Sequence, residues 1–342
     1  MAIFDFNRDG FADLAVANSQ PGANSYVYWG SAEGFAGARR TELPSLAANG
    51  VAVGDFNQDG YADLVFANSH DETTYDVPSY LYWGSATGFA PYLRAELQSF
   101  GAASVSAADL DGDKRPEIVL INQYSGRYAG RLNSRIFWGN PHHHYSTASM
   151  TGLPTEGAYD TTAADFNDDG YPDVFICNSY IAKSFLYWGG AEGFAPGRRV
   201  VLDTGRCFAS GAADLNRDGY LDLVVSGTHE GKATGTILWG SEKGLGASEM
   251  TRLPLRAKRN ALTLVIADFN RDGKLDLSFS DHYFGTLEIF WGSADSYSPA
   301  RTWWRTMPGG GLSVADLNGD GWLDFVVPGM FDAKRKSYNN QT

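Results

Sequence analysis

Short apolar runs recur along this chain, and each is interrupted at the same point by a polar loop. The clearest copy runs Gly50-Val51-Ala52-Val53-Gly54 into Asp55. After the loop comes Asp63-Leu64-Val65-Phe66-Ala67-Asn68, an apolar run of the length of a strand buried on both faces. A second polar stretch leads to Ser79-Tyr80-Leu81-Tyr82-Trp83-Gly84, aromatic and aliphatic and closed by a glycine turn. Ser85-Ala86-Thr87-Gly88-Phe89 then turns into a more polar run ending at Leu97. The pattern predicts four short strands per unit. No helical period is present.

The polar loop identifies the unit. It reads DxNxDGxxD and begins at Asp5, Asp55, Asp109, Asp165, Asp214, Asp268 and Asp316, at intervals of 50, 54, 56, 49, 54 and 48 residues. Self-similarity at such a period means one supersecondary element repeated many times. Units begin near residues 1, 50, 103, 159, 208, 262 and 310 of the 342. Four antiparallel strands repeated radially describe an all-β fold, a seven-bladed β-propeller spanning 1–342 as one domain. The third-strand ending Trp-Gly occurs six times, at Trp29, Trp83, Trp138, Trp188, Trp239 and Trp291. The seventh blade is therefore expected to be incomplete. Each Trp is expected to pack between blades.

The loop is also a cation-ligand pattern. Residues 1, 3 and 5 can turn oxygens inward, a glycine at position 6 permits the sharp turn, and an acid at position 9 closes the shell. The candidate ligands are Asp5, Asn7, Asp9, Asp13; Asp55, Asn57, Asp59, Asp63; Asp109, Asp111, Asp113, Glu117; Asp165, Asn167, Asp169, Asp173; Asp214, Asn216, Asp218, Asp222; Asp268, Asn270, Asp272, Asp276; and Asp316, Asn318, Asp320, Asp324. Hard oxygen donors in this number suit Ca2+ better than Mg2+, which demands a rigid octahedron. Up to seven ions are expected. The third copy has its glycine at position 4 and Lys114 at position 6, and is expected to bind more weakly or with altered geometry.

Charge supports this reading. The formal net charge is −13, and 22 of the 40 acidic residues stand at candidate ligand positions of the loops. Seven divalent cations would bring the total to about +1. An acidic chain without a basic face argues against a nucleic-acid partner. No apolar run approaches the ~18 residues of a membrane span, so no membrane insertion is expected. Cys177 lies where other units have Ala17, Ala67 or Ile121, a small buried position. A Cys177–Cys207 disulfide is the alternative in an oxidising compartment.

The seven loops and the WGSAxGF-AP turns, such as Trp83 to Pro91 and Trp188 to Pro196, resemble the FG-GAP/VCBS repeat family. That family comprises calcium-loop propellers, among them integrin α-subunit heads and many bacterial exported proteins. The resemblance covers nearly the whole chain. It implies the fold, calcium and a secreted, periplasmic or cell-surface location, but no single activity.

Strand alternation puts the calcium loops and Trp-Gly turns on one rim and the other loops on the opposite rim. A ligand is expected at the second rim, because loops on a rigid scaffold usually carry binding residues. Fifteen residues after each first Asp stand Gln20, His70, Tyr124, Tyr180, His229, Tyr283 and Phe331, with His282 beside Tyr283. Arg206, Lys258 and Arg259 belong to neighbouring loops. This aromatic, imidazole-rich and cationic set suits a glycan, an acidic one in particular, or an extracellular protein ligand. The leading expectation is an adhesion or carbohydrate-binding module. The rival is a polysaccharide lyase or hydrolase using His70, His229, Tyr124, Tyr180 and Arg206, although no spacing singles out an acid–base pair. A purely structural domain of a larger surface protein is a third reading. His142-His143-His144 reads as an exposed turn, Trp303-Trp304 as packing, and Asn18, Asn68, Asn122 and Asn178 as partners for backbone groups or left-handed positions.

Overall fold

The computed structural model describes residues 1–126, 128–140, 145–246, 249–257, 261–281, 286–293, 296–297, 302–306 and 311–327. The fold is an all-β propeller of four-stranded antiparallel blades. Blade 1 is Ala2–Phe4, Asp13–Val16, Ser25–Tyr28 and Arg40–Leu43. Blade 2 is Ala48–Gly54, Asp63–Asn68, Ser79–Tyr82 and Arg94–Leu97. Blade 3 is Ala102–Ala108, Glu117–Asn122, Arg131–Phe137 and Met150–Glu156, with a small extra hairpin of Tyr124–Ser125 and Tyr128–Ala129. Blade 4 is Ala158–Ala164, Asp173–Asn178, Ser184–Tyr187 and Arg199–Leu202. Blade 5 is Arg206–Ala213, Asp222–His229, Lys232–Leu238 and Met250–Pro254. Blade 6 is Thr263–Ala267, Asp276–Asp281, Thr286–Phe290 and Thr302–Thr306.

Among the described residues six blades are complete, not seven. The seventh repeat contributes a two-stranded sheet, Ser313–Ala315 with Asp324–Val326. The reason is legible in the repeat itself. The acidic loop joins the first two strands, so counting loops counts strand pairs, whereas only six copies carry the Trp-Gly element that builds the second pair. Tertiary contacts divide the chain into two compact units. The first is Met1–Ala163 with Tyr171–Ile176 and Tyr187–Arg199. The second is Ala164–Gly170 with Cys177–Leu186 and everything from Val200.

Within each unit the core lies between successive blades. Phe6, Ala15, Val27 and Leu43 of blade 1 pack with Leu64, Phe66 and Tyr82 of blade 2. Val65, Leu81 and Leu97 of blade 2 pack with Val105, Ile118 and Phe137 of blade 3. The second strands of blades 2 and 3 are buried along their whole length, because they have a blade on each side. Position 2 of the first five loops is buried, at Phe6, Phe56, Leu110, Phe166 and Leu215, whereas Phe269 and Leu317 are half-buried. Trp29 and Trp138 pack between blades, as expected. Trp29 stacks on Phe89 of blade 2 at 6.3 Å, and Trp138 meets Phe194 of blade 4 at 6.2 Å. Their indole N–H groups donate to Thr41 and Thr151. For Trp303 and Trp304 the strand pairing with Ile289 and Glu288 is described. His142–His144 lie outside the described residues.

Cys177 and Cys207 are bridged, joining the second strand of blade 4 to the first strand of blade 5. Both are fully buried.

Two stability outcomes follow from this packing. Phe56→Ala should cost about 3–5 kcal/mol, the range for emptying a buried aromatic site. Tyr92→Ala, at an 82% exposed position, should stay within about 0.5 kcal/mol. Denaturant titration of the two variants checks the contrast. A Cys177→Ala/Cys207→Ala variant should lose about 3–4 kcal/mol, the loop-closure value for a 30-residue separation. An unchanged denaturation midpoint would contradict that.

Candidate functional site

The acidic loops share one backbone. Positions 4 and 6 both have positive φ in every copy, as in Arg8 (61°) and Gly10 (90°), or Arg217 (63°) and Gly219 (93°). Two left-handed residues in so short a span fold the loop back on itself. The third copy keeps this path with its residues exchanged: Gly112 has φ 81° and Lys114 has φ 69°. The geometry expected to be altered is therefore preserved in outline, and one glycine at either position suffices.

The side chains at positions 1, 3 and 5 face the loop interior. In the first copy, Asp5 accepts from the Asp9 N–H at 3.0 Å and the Gly10 N–H at 2.9 Å. Asn7 Oδ1 also accepts from Asp9 N, and Asn7 Nδ2 donates to Asp9 Oδ2. The same bonds recur at Asp55, Asp214, Asp268 and Asp316. In the third copy, Asp113 is drawn away to Arg115 at 2.9 Å. Its three other acids, Asp109, Asp111 and Glu117, bring carboxylate oxygens within 4.8 Å of one another, the one acidic group of this kind among the described residues. That copy alone has Asp rather than Asn at position 3. The donors are all hard oxygens, and three carboxylates crowd one point, so the residues fit a divalent cation.

Position 9 has a second task. Asp63 is fully buried and accepts from Phe56 N at 2.9 Å and from Gly84 N at 2.7 Å. One carboxylate thus ties together the loop entrance, the second strand and the Trp-Gly turn. The pattern holds at Asp13, Asp222 and Asp276. A Cβ at Gly84 would fall 2.1 Å from the Ala62 carbonyl oxygen, so only glycine brings that N–H close enough. Burial, reinforced by neighbouring carboxylates, pushes Asp63 up to about 7, Glu117 to about 7 and Asp222 to about 6, against the opposing pull of their N–H donors.

The opposite rim is organised by Asn and hydroxyl groups. Asn68 Oδ1 accepts from Leu46 N, and Asn122 Oδ1 from Phe100 N, which pins each incoming loop to the end of a second strand. Asn18 likewise accepts from Gln20 N, and Asn178 donates to the Lys183 carbonyl. All four asparagines thus serve backbone groups. Buried hydroxyl pairs repeat beside them, Ser25–Ser45, Ser79–Ser99 and Ser184–Thr204, each at 2.8 Å. Isolated serines and threonines twenty residues apart gave no sequence signal.

Of the predicted ligand residues in the first unit, His70 and Tyr124 are brought together by Tyr75, which the offset pattern missed. The Tyr75 ring lies 5.1 Å from His70 and stacks on Tyr124 at 4.7 Å. Its backbone is clamped from both sides, by Gly101 N donating to Tyr75 O and Tyr75 N donating to Gly126 O. Asp76 accepts from Ser125 Oγ and Gly126 N, and three bonds from Thr73 and Thr74 hold the Asp71 carboxyl below the usual range. Among the described residues, the charged side chains tied to this hairpin and loop include the carboxylates Asp71 and Asp76. Nδ1 of His70 is buried without a hydrogen-bond partner. In the second unit, Arg206 is exposed and donates to the Ser179 carbonyl at 2.5 Å, next to the exposed Tyr180. Its strand pairs with the strand that ends at His229. Lys258, Arg259, His282, Tyr283 and Phe331 lie outside the described residues.

The raised carboxylates predict a pH dependence with a definite sign. A carboxylic acid with a higher pKa in the folded chain holds its proton more tightly there. Its contribution is complete below about pH 4 and is lost as pH rises towards about 7. In a chelator, the melting temperature should therefore fall across this window. Millimolar calcium should flatten the profile and raise the melting temperature by mass action. Superimposable profiles with and without calcium would refute the assignment.

The FG-GAP-like repeat family matches residues 5–66, 55–120, 165–225, 214–279 and 268–327. A T-cell immunomodulatory protein of Rattus norvegicus is 29% identical over 114 residues, which is 33% of this chain and 18% of that protein. Among solved structures, an Agrocybe aegerita lectin with specific recognition of non-reducing terminal N-acetylglucosamine superposes with a TM-score of 0.52 at 13% identity, covering 87% of this chain and 78% of the lectin. The V. cholerae biofilm matrix protein Bap1 gives 0.49 at 16% identity, covering 80% of this chain and 42% of Bap1. The lectin likeness is one of fold. With loops, Trp-Gly turns and blades all accounted for by one repeat, the chain belongs to the FG-GAP-like repeat family.

Proposed function

We propose that the chain is an exported calcium-binding propeller, one domain acting as a carbohydrate-binding or adhesion module. Up to seven Ca2+ ions would be held by the acidic loops. The ions would stiffen one rim while the other meets a glycan or an extracellular protein. The observation that carries the binding reading is the His70–Tyr75–Tyr124 ladder on the rim opposite the loops. Aromatic side chains combine large apolar area with a polar tip and suit the mixed faces of a sugar. The fold shared with a lectin supports the same reading. A buried disulfide fits an oxidising, extracytoplasmic location. Tyr180, Arg206 and His229 would supply a corresponding contact surface in the second unit.

The ladder argues for binding over lyase chemistry. A general base needs a partner that sets its tautomer and direction. His70 Nδ1 has none and is held by ring contacts.

A glycan array probed in calcium tests the reading. A His70→Ala/Tyr124→Ala variant should lose binding by about tenfold or more, the ~1.4 kcal/mol step, while keeping its calcium-dependent melting. Unchanged glycan binding, or release of unsaturated uronate products by the native protein, would overturn it.

A further inference from the structure

The chain contains two Asn-Gly pairs, Asn49-Gly50 and Asn318-Gly319. Glycine has no Cβ to shield its amide nitrogen, so that nitrogen can approach the carboxamide carbon of the preceding side chain. The fold places the two pairs in different backbones, although the carboxamide of each is hydrogen-bonded. Gly50 is paired with Ala67 in the blade 2 ladder, and a Cβ on it would lie 3.3 Å from Ser104 of the next blade. Asn49 Nδ2 is held by the Ala102 carbonyl. That pair lies within a strand, with Gly50 in the ladder and Asn49 as the exposed residue of a bulge beside it.

Asn318 and Gly319 are positions 3 and 4 of an exposed loop. Gly319 has φ 73°, and nothing lies within 4 Å of the place a Cβ would occupy. Its N–H donates to Asp316 Oδ1 at 2.7 Å, so a carboxylate already holds the proton that must leave for the nitrogen to attack. Position 4 of five other loops is occupied by Arg8, Gln58, Asp168, Arg217 and Arg271. Among the described residues, none of those five amides makes this bond. Gly112 does, but it follows an aspartate, not an asparagine.

We propose that Asn318 is a site of spontaneous deamidation, with Asp316 accepting the proton. The Gly319 nitrogen loses its proton to the carboxylate and bonds to Asn318 Cγ. The Cγ–Nδ2 bond breaks and ammonia departs, taking that proton. A five-membered succinimide remains. Water adds to one of its two carbonyls and opens it, either to an aspartyl side chain or to an isoaspartyl link. Nothing is oxidised or reduced. Both products add one negative charge beside Asp316 and Asp320. The isoaspartyl link also inserts a methylene into the main chain between positions 3 and 4, which separates Asp316 from the Asp320 N–H it now holds at 3.1 Å. The loop is thereby modified by its own backbone.

The test is peptide mass spectrometry after incubation of the native chain in mildly alkaline buffer with chelator, beside a urea-unfolded sample. In the native chain, conversion at Asn318 should exceed that at Asn49 by about tenfold or more, while the unfolded chain should convert both at similar rates. Gly319→Arg restores the residue that three other loops accommodate at position 4. It should reduce conversion at Asn318 to the Asn49 level. Equal native rates at the two pairs, or full conversion in the Gly319→Arg variant, would overturn the proposal.

Discussion

A buried carboxylate at position 9 of the repeat is the interaction on which the rest depends. It accepts one N–H from the start of the loop and one from the glycine after the tryptophan. Removing such a group would leave two buried donors unpaired, a larger loss than a neutral hydrogen bond contributes when made. The carboxylate therefore couples strand pairing, loop closure and the turn between third and fourth strands in one place. Its burial also sets the electrostatic problem that a bound cation would relieve. Fold and candidate chemistry meet at the same atoms.

That coupling explains how much could be read from the sequence. The acidic loop and the Trp-Gly turn looked like two independent signatures, one chemical and one structural. They are two ends of a single contact, and they occur together in six of the seven repeats. The position-2 apolar residues and the inter-blade tryptophans followed for the same reason: the repeat forces them to equivalent places. The blade number did not follow, because the loop reports only the first strand pair of a unit. Cysteine pairing was open for a different reason, since thirty residues of separation carry no geometry.

The opposite rim was legible in outline only. Counting fifteen residues from each loop found His70 and Tyr124, because second strands have nearly constant length. It missed Tyr75, which sits in the long loop that follows and has no counterpart in the register. Nor did the register announce the carboxylates Asp71 and Asp76, which the same loop carries beside those rings. Repeats predict where side chains stand, but the irregular connections decide what those positions offer.

The tryptophans point one way along the chain. Trp29 covers the turn of blade 2, and Trp138 covers the turn of blade 4. Blades 1 and 3 thus each leave a large aromatic surface bare until the following blade arrives. On a ribosome, where the N-terminal part folds first at about 5–20 residues per second, this gives the growing chain a direction. Every newly emerged repeat finds a ready template in its predecessor and presents a fresh one to its successor. Assembly by such hand-over keeps contacts local in time even where they are distant in sequence. It also limits the exposed apolar surface at any moment to about one blade's edge.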